Sequence, residues 1–320
     1  MSESLVEVRK LVKTFASSGG LMSKAKHVHA VTDVSFSVNP RETFALVGES
    51  GCGKSTTGRL VTRLLEPDSG QVLFDGADIT NYTEKQMRPV RSNMQMIFQD
   101  PYGSLNPRIK VEDLIGEPLS IHTRLSTAEK RKIIYDLLEV VGLHPEHANR
   151  YPHEFSGGQR QRIGIARALT VHPKLIVADE PVSALDVSIQ AQVLNLLKEL
   201  QRKYELTYIF ISHDLSVVEM IADKIGVMYL GKIMESAPKE ELYSKPLHPY
   251  TQALLSAVPV PDPKHVRNRI ILKGDLPSPV NPPSGCLFHT RCPYCAEKCR
   301  TDKPDLREID KEHFVACHYV

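Results

Sequence analysis

The sequence predicts an α/β protein: a sheet containing parallel strands, an antiparallel β edge, an inserted α-helical stretch and a small cysteine-rich extension at the C-terminal end. Three observations predict it. The apolar run Thr43 to Val47 leads into Gly48-Glu49-Ser50-Gly51-Cys52-Gly53-Lys54-Ser55, which spells G-x-x-x-x-G-K-S ahead of a helical pattern. A long helical signal then separates two groups of strand-like runs. Finally, five of the six cysteines fall between Cys286 and Cys317, behind a stretch rich in proline.

At 320 residues the chain suits one large α/β domain with an appendage, or two domains. Forty Lys and Arg against 38 Asp and Glu give a net charge of +2, so no nucleic-acid partner is expected. No apolar run is long enough to cross a bilayer. Met1 to Val12 carries Glu3, Glu7, Arg9 and Lys10 where a secretion signal needs an unbroken apolar centre. The expected location is the cytosol, docked on a membrane that the chain does not enter.

In order, Leu5 to Val12 and Val31 to Val38 alternate as half-buried strands, with Ser17-Ser18-Gly19-Gly20 marking the loop between them. Thr43 to Val47 reads as a buried parallel strand, and Thr56 to Leu65 as a helix. Gln71 to Gly76 is a strand closed by a turn, and Met94 to Phe98 is another short strand. From Gln99 to about Leu169 the pattern is helical: Ser126-Thr127-Ala128-Glu129 forms a capping box, and Gly142 stops the helix that follows. Strands return at Lys174 to Ala178 and Leu206 to Ile211, separated by a helix over Ser188 to Lys203. Composition changes after about Glu235, and residues 259–283 hold seven prolines, which reads as a semi-rigid connector.

The glycine-rich stretch is a phosphate trap. Gly48, Gly51 and Gly53 let the backbone turn tightly and present N–H donors, and the helix N-terminus adds partial positive charge. Lys54 is placed to reach β- and γ-phosphates and Ser55 to hold Mg²⁺. Glu49, Ser50 and Cys52 complete the loop and Thr56 follows it; Cys52 reads as a small filler and not a nucleophile. A glycine-rich turn that binds nothing is the competing reading, and the correct flanks tell against it.

The strand from Lys174 delivers Asp179 and Glu180 at its C-terminal end, where ligands sit in open α/β sheets. Asp179 is expected to bind Mg²⁺ through water. Glu180, pointing the other way along an extended strand, is expected to polarise the attacking water as general base. The strand from Leu206 ends in Ser212-His213-Asp214, and a neutral His213 is suited to hydrogen-bond a γ-phosphate and the water. Gln99 is an amide able to reach Mg²⁺ and the water from a strand end. Ser156-Gly157-Gly158-Gln159 opens a helix as a second anion site. One chain rarely needs two phosphate sites for one nucleotide, so a partner subunit's ATP is its natural ligand.

With these motifs in this order, and with Ser183-Ala184-Leu185-Asp186 between Glu180 and His213, the chain resembles the ATP-binding-cassette ATPases over residues 5–235. The resemblance implies a phosphate-loop NTPase core of RecA-like type in residues 1–235, with its helical subdomain at about 100–170. Met94 to Pro107 is similar to the F-type subunit of dipeptide and oligopeptide permeases. His248-Pro249-Tyr250-Thr251 and the proline- and cysteine-rich end, 236–320, are similar to that subfamily's C-terminal extension.

The expected activity is ATP hydrolysis that energises import of di- and oligopeptides at the cytoplasmic face of the inner membrane. Nickel and oligosaccharide importers use similar ATPases, and a soluble cassette ATPase of translation or DNA repair is the alternative from another class. The resemblance implies a head-to-tail pair with a paralogous D-type ATPase, two membrane permeases contacted by Gln99 to Pro118, and an external binding protein reached indirectly. Phe15 matches the aromatic that stacks on adenine, an apolar core position being the competing reading, and Asp186 would lie at the dimer seam.

The cysteine spacing C-x5-C-x2-C-x3-C-x17-C suits tetrathiolate zinc or an iron–sulfur cluster equally. The family tails resemble one another in four cysteines that match Cys286, Cys292, Cys299 and Cys317, which implies a [4Fe–4S] cluster. Cys295 departs from that pattern, as a bystander or an alternative ligand.

Overall fold

The structure, a computed structural model, describes residues 4–17, 26–259 and 269–320. The expected loop is therefore outside the described residues from Ser18 on, as are Pro261 and Pro263 of the connector.

The first strands run longer than their alternation suggests. Strand β1 (Val6–Ser17) pairs antiparallel with β2 (Lys26–Val38), from Val6 opposite Val38 to Ser17 opposite Lys26. Val6 and Val8 are buried, but Arg9 and Lys10 are both exposed before Leu11 returns to the core. Lys10 has φ 47 and the register shifts there; this is a bulge, which adds a residue and restores the apolar face. All five residues of β3 (Thr43–Val47) are buried.

Helix α1 (Lys54–Val61) starts two residues before the expected Thr56 and stops short of Leu65. The reason is a non-local bond: Arg63 is buried with φ 54 and donates Nε–H to Ile79 O at 3.1 Å, which fixes a tight turn instead of further helix. Strand β4 (Ser69–Phe74) lies beside β1, and β5 (Ala77–Asp78) closes a hairpin on it through Asp75 and Gly76. Both turn residues have positive φ, the conformation a two-residue hairpin favours.

Helix α2 (Glu84–Asn93) and β6 (Met94–Ile97) follow. Between β6 and the next strand the regular elements are helical: α3 (Pro101–Ser104), α4 (Val111–His122), α5 (Thr127–Val140), two 3₁₀ turns, and α6 (Gly157–Leu169). The expected capping box starts α5, with Glu129 N–H donating to Ser126 Oγ and Ser126 N–H to Glu129 Oε2. Then come β7 (Leu175–Asp179), α7 (Val187–Tyr204), β8 (Thr207–Ser212), α8 (Leu215–Ile221), β9 (Lys224–Tyr229) and β10 (Lys232–Pro238). The tail adds α9 (Lys239–Ser244), α10 (Pro249–Ser256), α11 (Glu297–Thr301), β11 (Arg307–Asp310) and β12 (His313–Val315).

Two compact units result. The first comprises residues 1–38, 43–80 and 212–320. It holds the antiparallel sheet β2-β1-β4-β5, and β3 paired in parallel with β9. Antiparallel pairings then lead from β9 through β10 and β12 to β11. The cysteine-rich tail thus belongs to the same unit as the phosphate loop, and β10 runs across residue 235. Glu235, fully buried on β10, accepts from Leu247 N–H at 2.8 Å, His248 N–H at 2.9 Å and His313 Nε2 at 2.7 Å. A buried carboxylate is tolerable only when its lone pairs are filled this way.

The second unit comprises residues 39–42 and 81–211. Its strands β6, β7 and β8 are parallel, with Met94 opposite Leu175 and Leu175 opposite Thr207. Every residue of β7 and β8 is buried, which is why they read as continuous apolar runs and not as alternation.

Candidate active site

In the first unit the loop after β3 has the backbone its glycines predict. Gly48 has φ 149 and Gly53 φ 103. A Cβ at Gly48 would collide with Met228 O, and one at Gly53 with Ala30 O, so neither position accepts a side chain. Gly53 is the N-cap of α1, and Lys54 is its first residue.

The Lys54 ammonium is buried and donates to Gly48 O at 2.8 Å and Glu49 O at 3.1 Å. Its charge is thereby held inside the loop by the loop's own carbonyls. Cys52 is 1 % exposed, 3.8 Å from Lys54 Nζ, and burial pushes its thiol up, which fits a filler rather than a thiolate nucleophile. Ser50 and Gly51 are exposed, while Ser55 and Thr56 are half-buried. Phe15, on β1, is 40 % exposed with Lys13 Nζ 5.8 Å from its ring centre, so it is not a core residue. His213 is exposed and directly precedes Asp214, which caps α8 by accepting from Ser216 N–H at 2.8 Å.

In the second unit Asp179 ends β7 and is 2 % exposed. Glu180 corrects the expectation of an extended strand: it lies beyond the strand with φ 46, while its N–H donates to Ile211 O at 2.9 Å. The backbone turns at Glu180 because the neighbouring strand β8 captures that N–H, a left-handed conformation uncommon for a residue with a Cβ. The turn brings Glu180 to Gln99, whose Nε2–H donates to Glu180 Oε2 at 2.9 Å. A carboxylate fixed by an amide donor is oriented without being neutralised, a suitable state for accepting a proton from water.

Ser156 is the N-cap of α6, and the cap is reciprocal: Gln159 N–H donates to Ser156 Oγ at 3.4 Å and Ser156 N–H to Gln159 Oε1 at 3.0 Å. Gly158 is required by packing, since a Cβ there would lie 2.5 Å from Ile189 Cγ2 on α7. Asp186 caps α7, and the Ile189 N–H and Ser188 hydroxyl bonds hold its carboxyl below the usual range.

In the tail, Cys286, Cys292, Cys299 and Cys317 line one cavity of about 370 Å³, with His289 and Tyr294 beside them. Cys295 is not among the lining residues. Burial, reinforced by the neighbouring thiols, pushes Cys286 up to about 11. Among the described residues no three His, Cys, Asp or Glu side chains converge where a single metal ion could sit.

Two contacts to the phosphate loop escape sequence reasoning, although Tyr250 itself belongs to the stretch that carries the tail's resemblance. Tyr250 Oη accepts from Glu49 N–H at 3.0 Å, and Arg291 Nη1 donates to both Glu49 carboxylate oxygens at 3.0 and 2.8 Å. They lie 201 and 242 residues from Glu49, and no local spacing announces such a pair.

Comparison with known proteins agrees with this geometry. Residues 31–183 match the ABC transporter family, and residues 234–299 match the family described as oligopeptide/dipeptide transporter, C-terminal region. The chain is 58 % identical to the oligopeptide transport ATP-binding protein AppF of Bacillus subtilis, over 99 % of this chain and 97 % of the relative. It is 56 % identical to the putative oligopeptide transport ATP-binding protein YkfD of the same organism, over 98 % and 95 %. Among solved structures, a dimeric ATP-binding cassette in a post-hydrolysis state bound to ADP and phosphate is similar with a TM-score of 0.66 at 27 % identity, covering 73 % of this chain and 98 % of that one. CbiO1 of Clostridium perfringens, part of an ABC transporter complex, gives 0.65 at 26 %, covering 76 % and 92 %. The fold is therefore that of the phosphate-loop ABC ATPases with mixed α/β sheets, and the chain belongs to the ATP-binding proteins of ABC transporters.

Proposed function

We propose that this chain is the ATP-hydrolysing subunit of an importer for di- and oligopeptides, peripheral to the cytoplasmic face of the inner membrane. The observation that carries the reading is the 58 % identity to an oligopeptide transport ATP-binding protein along nearly the whole of both chains, tail included. Among the described residues no helix is long and apolar enough to cross a membrane. The conducting path is assigned, from the kinship to peptide importers, to two permeases fed by an external binding protein.

The nucleotide is held by the Gly48 to Thr56 loop, with Lys54 on the β- and γ-phosphates and Phe15 against the adenine. The exposure of Phe15 supports that role. Ser55, Gln99 and Asp179 would hold Mg²⁺, which supplies charge neutralisation on the phosphates. Glu180 takes the proton from the attacking water, oriented by Gln99, and His213 donates toward the γ-phosphate. Ser156, Gly157, Gly158 and Gln159, on the helical subdomain, present N–H donors to the ATP of a partner cassette, a paralogous D-type subunit. The dimeric state of the similar cassette supports a paired assembly. ATP closes the pair, hydrolysis reopens it, and the permeases follow.

Cys286, Cys292, Cys299 and Cys317 would hold a [4Fe–4S] cluster, with zinc as the alternative; that all four line one cavity supports a shared ligand set. Its role is a staple for a tail with little core of its own. Anaerobically purified protein should then be brown with broad absorption near 400 nm; a colourless preparation carrying zinc would remove the cluster.

The function is tested by reconstituting the subunit with its permeases and partner ATPase in proteoliposomes. Peptide-loaded binding protein should stimulate ATP hydrolysis and peptide accumulation together. Stimulation by nickel- or oligosaccharide-loaded binding protein instead would reassign the cargo.

A further inference from the structure

We propose that Arg291 and Tyr250, both from the tail, are positioning residues for the phosphate loop, acting through Glu49. Three polar groups of Glu49 are engaged. Its N–H donates to Tyr250 Oη, its carboxylate is bridged by Arg291 Nη1, and its carbonyl oxygen accepts from Lys54 Nζ. A route therefore runs from the tail through one loop residue to the lysine that meets phosphate. Displacement of Glu49 moves the carbonyl that orients Lys54, and with it the ammonium.

The contact is built, not incidental. Arg291 and Glu49 side chains are only 10 % and 27 % exposed, so solvent screening is reduced relative to a surface pair. The guanidinium lies 6.0 Å from the Tyr229 ring centre, and the Arg291 N–H donates to Phe288 O at 3.0 Å. Tyr229, Tyr250 and Phe288 interlock with ring centres 4.8 to 5.4 Å apart, which fixes both the phenol and the segment that carries the arginine. The His248 imidazole Nδ1 accepts from Tyr250 N–H at 3.0 Å and seats the start of α10. Arg291 directly precedes Cys292, one of the cavity-lining cysteines.

This inference rests on the phosphate loop being the ATP site, so the test separates the two. ATP affinity, KM, kcat and melting temperature are compared for wild type, K54A, R291M, R291K, Y250F, R291E and the swap E49R/R291E. Hydrogen exchange across residues 48–55 supplies a readout independent of turnover. R291M and Y250F are expected to weaken ATP binding and raise KM about threefold to tenfold, with kcat changed less than about twofold and faster exchange in the loop. R291K should fall between R291M and wild type, and the swap should recover at least half of the affinity lost in R291E.

ATP binding unaltered by K54A would remove the premise. Binding lost in K54A but wild-type in R291M overturns the positioning role alone. So does a folded swap variant no better than R291E. If R291E does not fold, the graded pair R291K and R291M still decides.

Discussion

Gln99 Nε2–H and Glu180 Oε2 are joined at 2.9 Å, linking the end of β6 to the residue just beyond β7. On the proposed reading Glu180 accepts the proton of the attacking water, and removing the amide takes away one contact that orients its carboxylate. Q99A should therefore lower kcat about tenfold while changing ATP affinity little. Q99E sets a second carboxylate against Glu180 and should do worse. Steady-state ATPase assays with parallel nucleotide titration check this; a Q99A enzyme with wild-type kcat would remove Gln99 as the orienting group.

The α6 start meets α7 so closely that only glycine fits at position 158, where Ile189 Cγ2 would stand 2.5 Å from a new Cβ. Because Ile189 is β-branched and stiff, it cannot rotate clear of the added atom. G158A should cost about 1–3 kcal/mol in urea denaturation, and the companion I189A should recover part of that loss by making room. Equal stability of G158A and wild type would show that the helices relax freely.

Burial holds the His248 imidazole down to about 3 from an ordinary 6.5. The fold thus favours the neutral ring. Its contribution is fully present above pH 6.5 and is lost as pH falls from there toward about 3, at up to about 1.4 kcal/mol per pH unit. Between pH 7 and 5 this single group should account for about 2 kcal/mol of lost stability. H248N keeps a capping acceptor for Tyr250 N–H but has no proton to gain, so its stability should fall less over the same interval. Parallel pH curves for the two proteins would contradict the assignment.

Local chemistry was legible in the sequence, and long-range chemistry was not. The glycine spacing of Gly48, Gly51 and Gly53, the capping box at Ser126 and the continuous apolar runs of β7 and β8 each encode their element within a few residues. The end of α1 was misread because Arg63 is drawn out of the helix by Ile79 O, sixteen residues away. The turn at Glu180 depends on Ile211 O in the next strand. Tyr250, read only as part of the tail's resemblance, and Arg291 carry no signal that places them at the loop, because the fold alone brings them to Glu49. Bulge formation at Lys10 is similar: alternation predicts a strand but not the residue at which it slips.

The central claim is that Glu180 is the base of an ATPase whose loop binds ATP independently of turnover. Single-turnover hydrolysis by E180Q in the assembled complex, measured beside ATP binding, tests it most directly. Hydrolysis should fall by at least about a hundredfold while ATP affinity stays within about twofold of wild type and a closed dimer accumulates. E180Q that hydrolyses ATP at the wild-type rate would contradict the account.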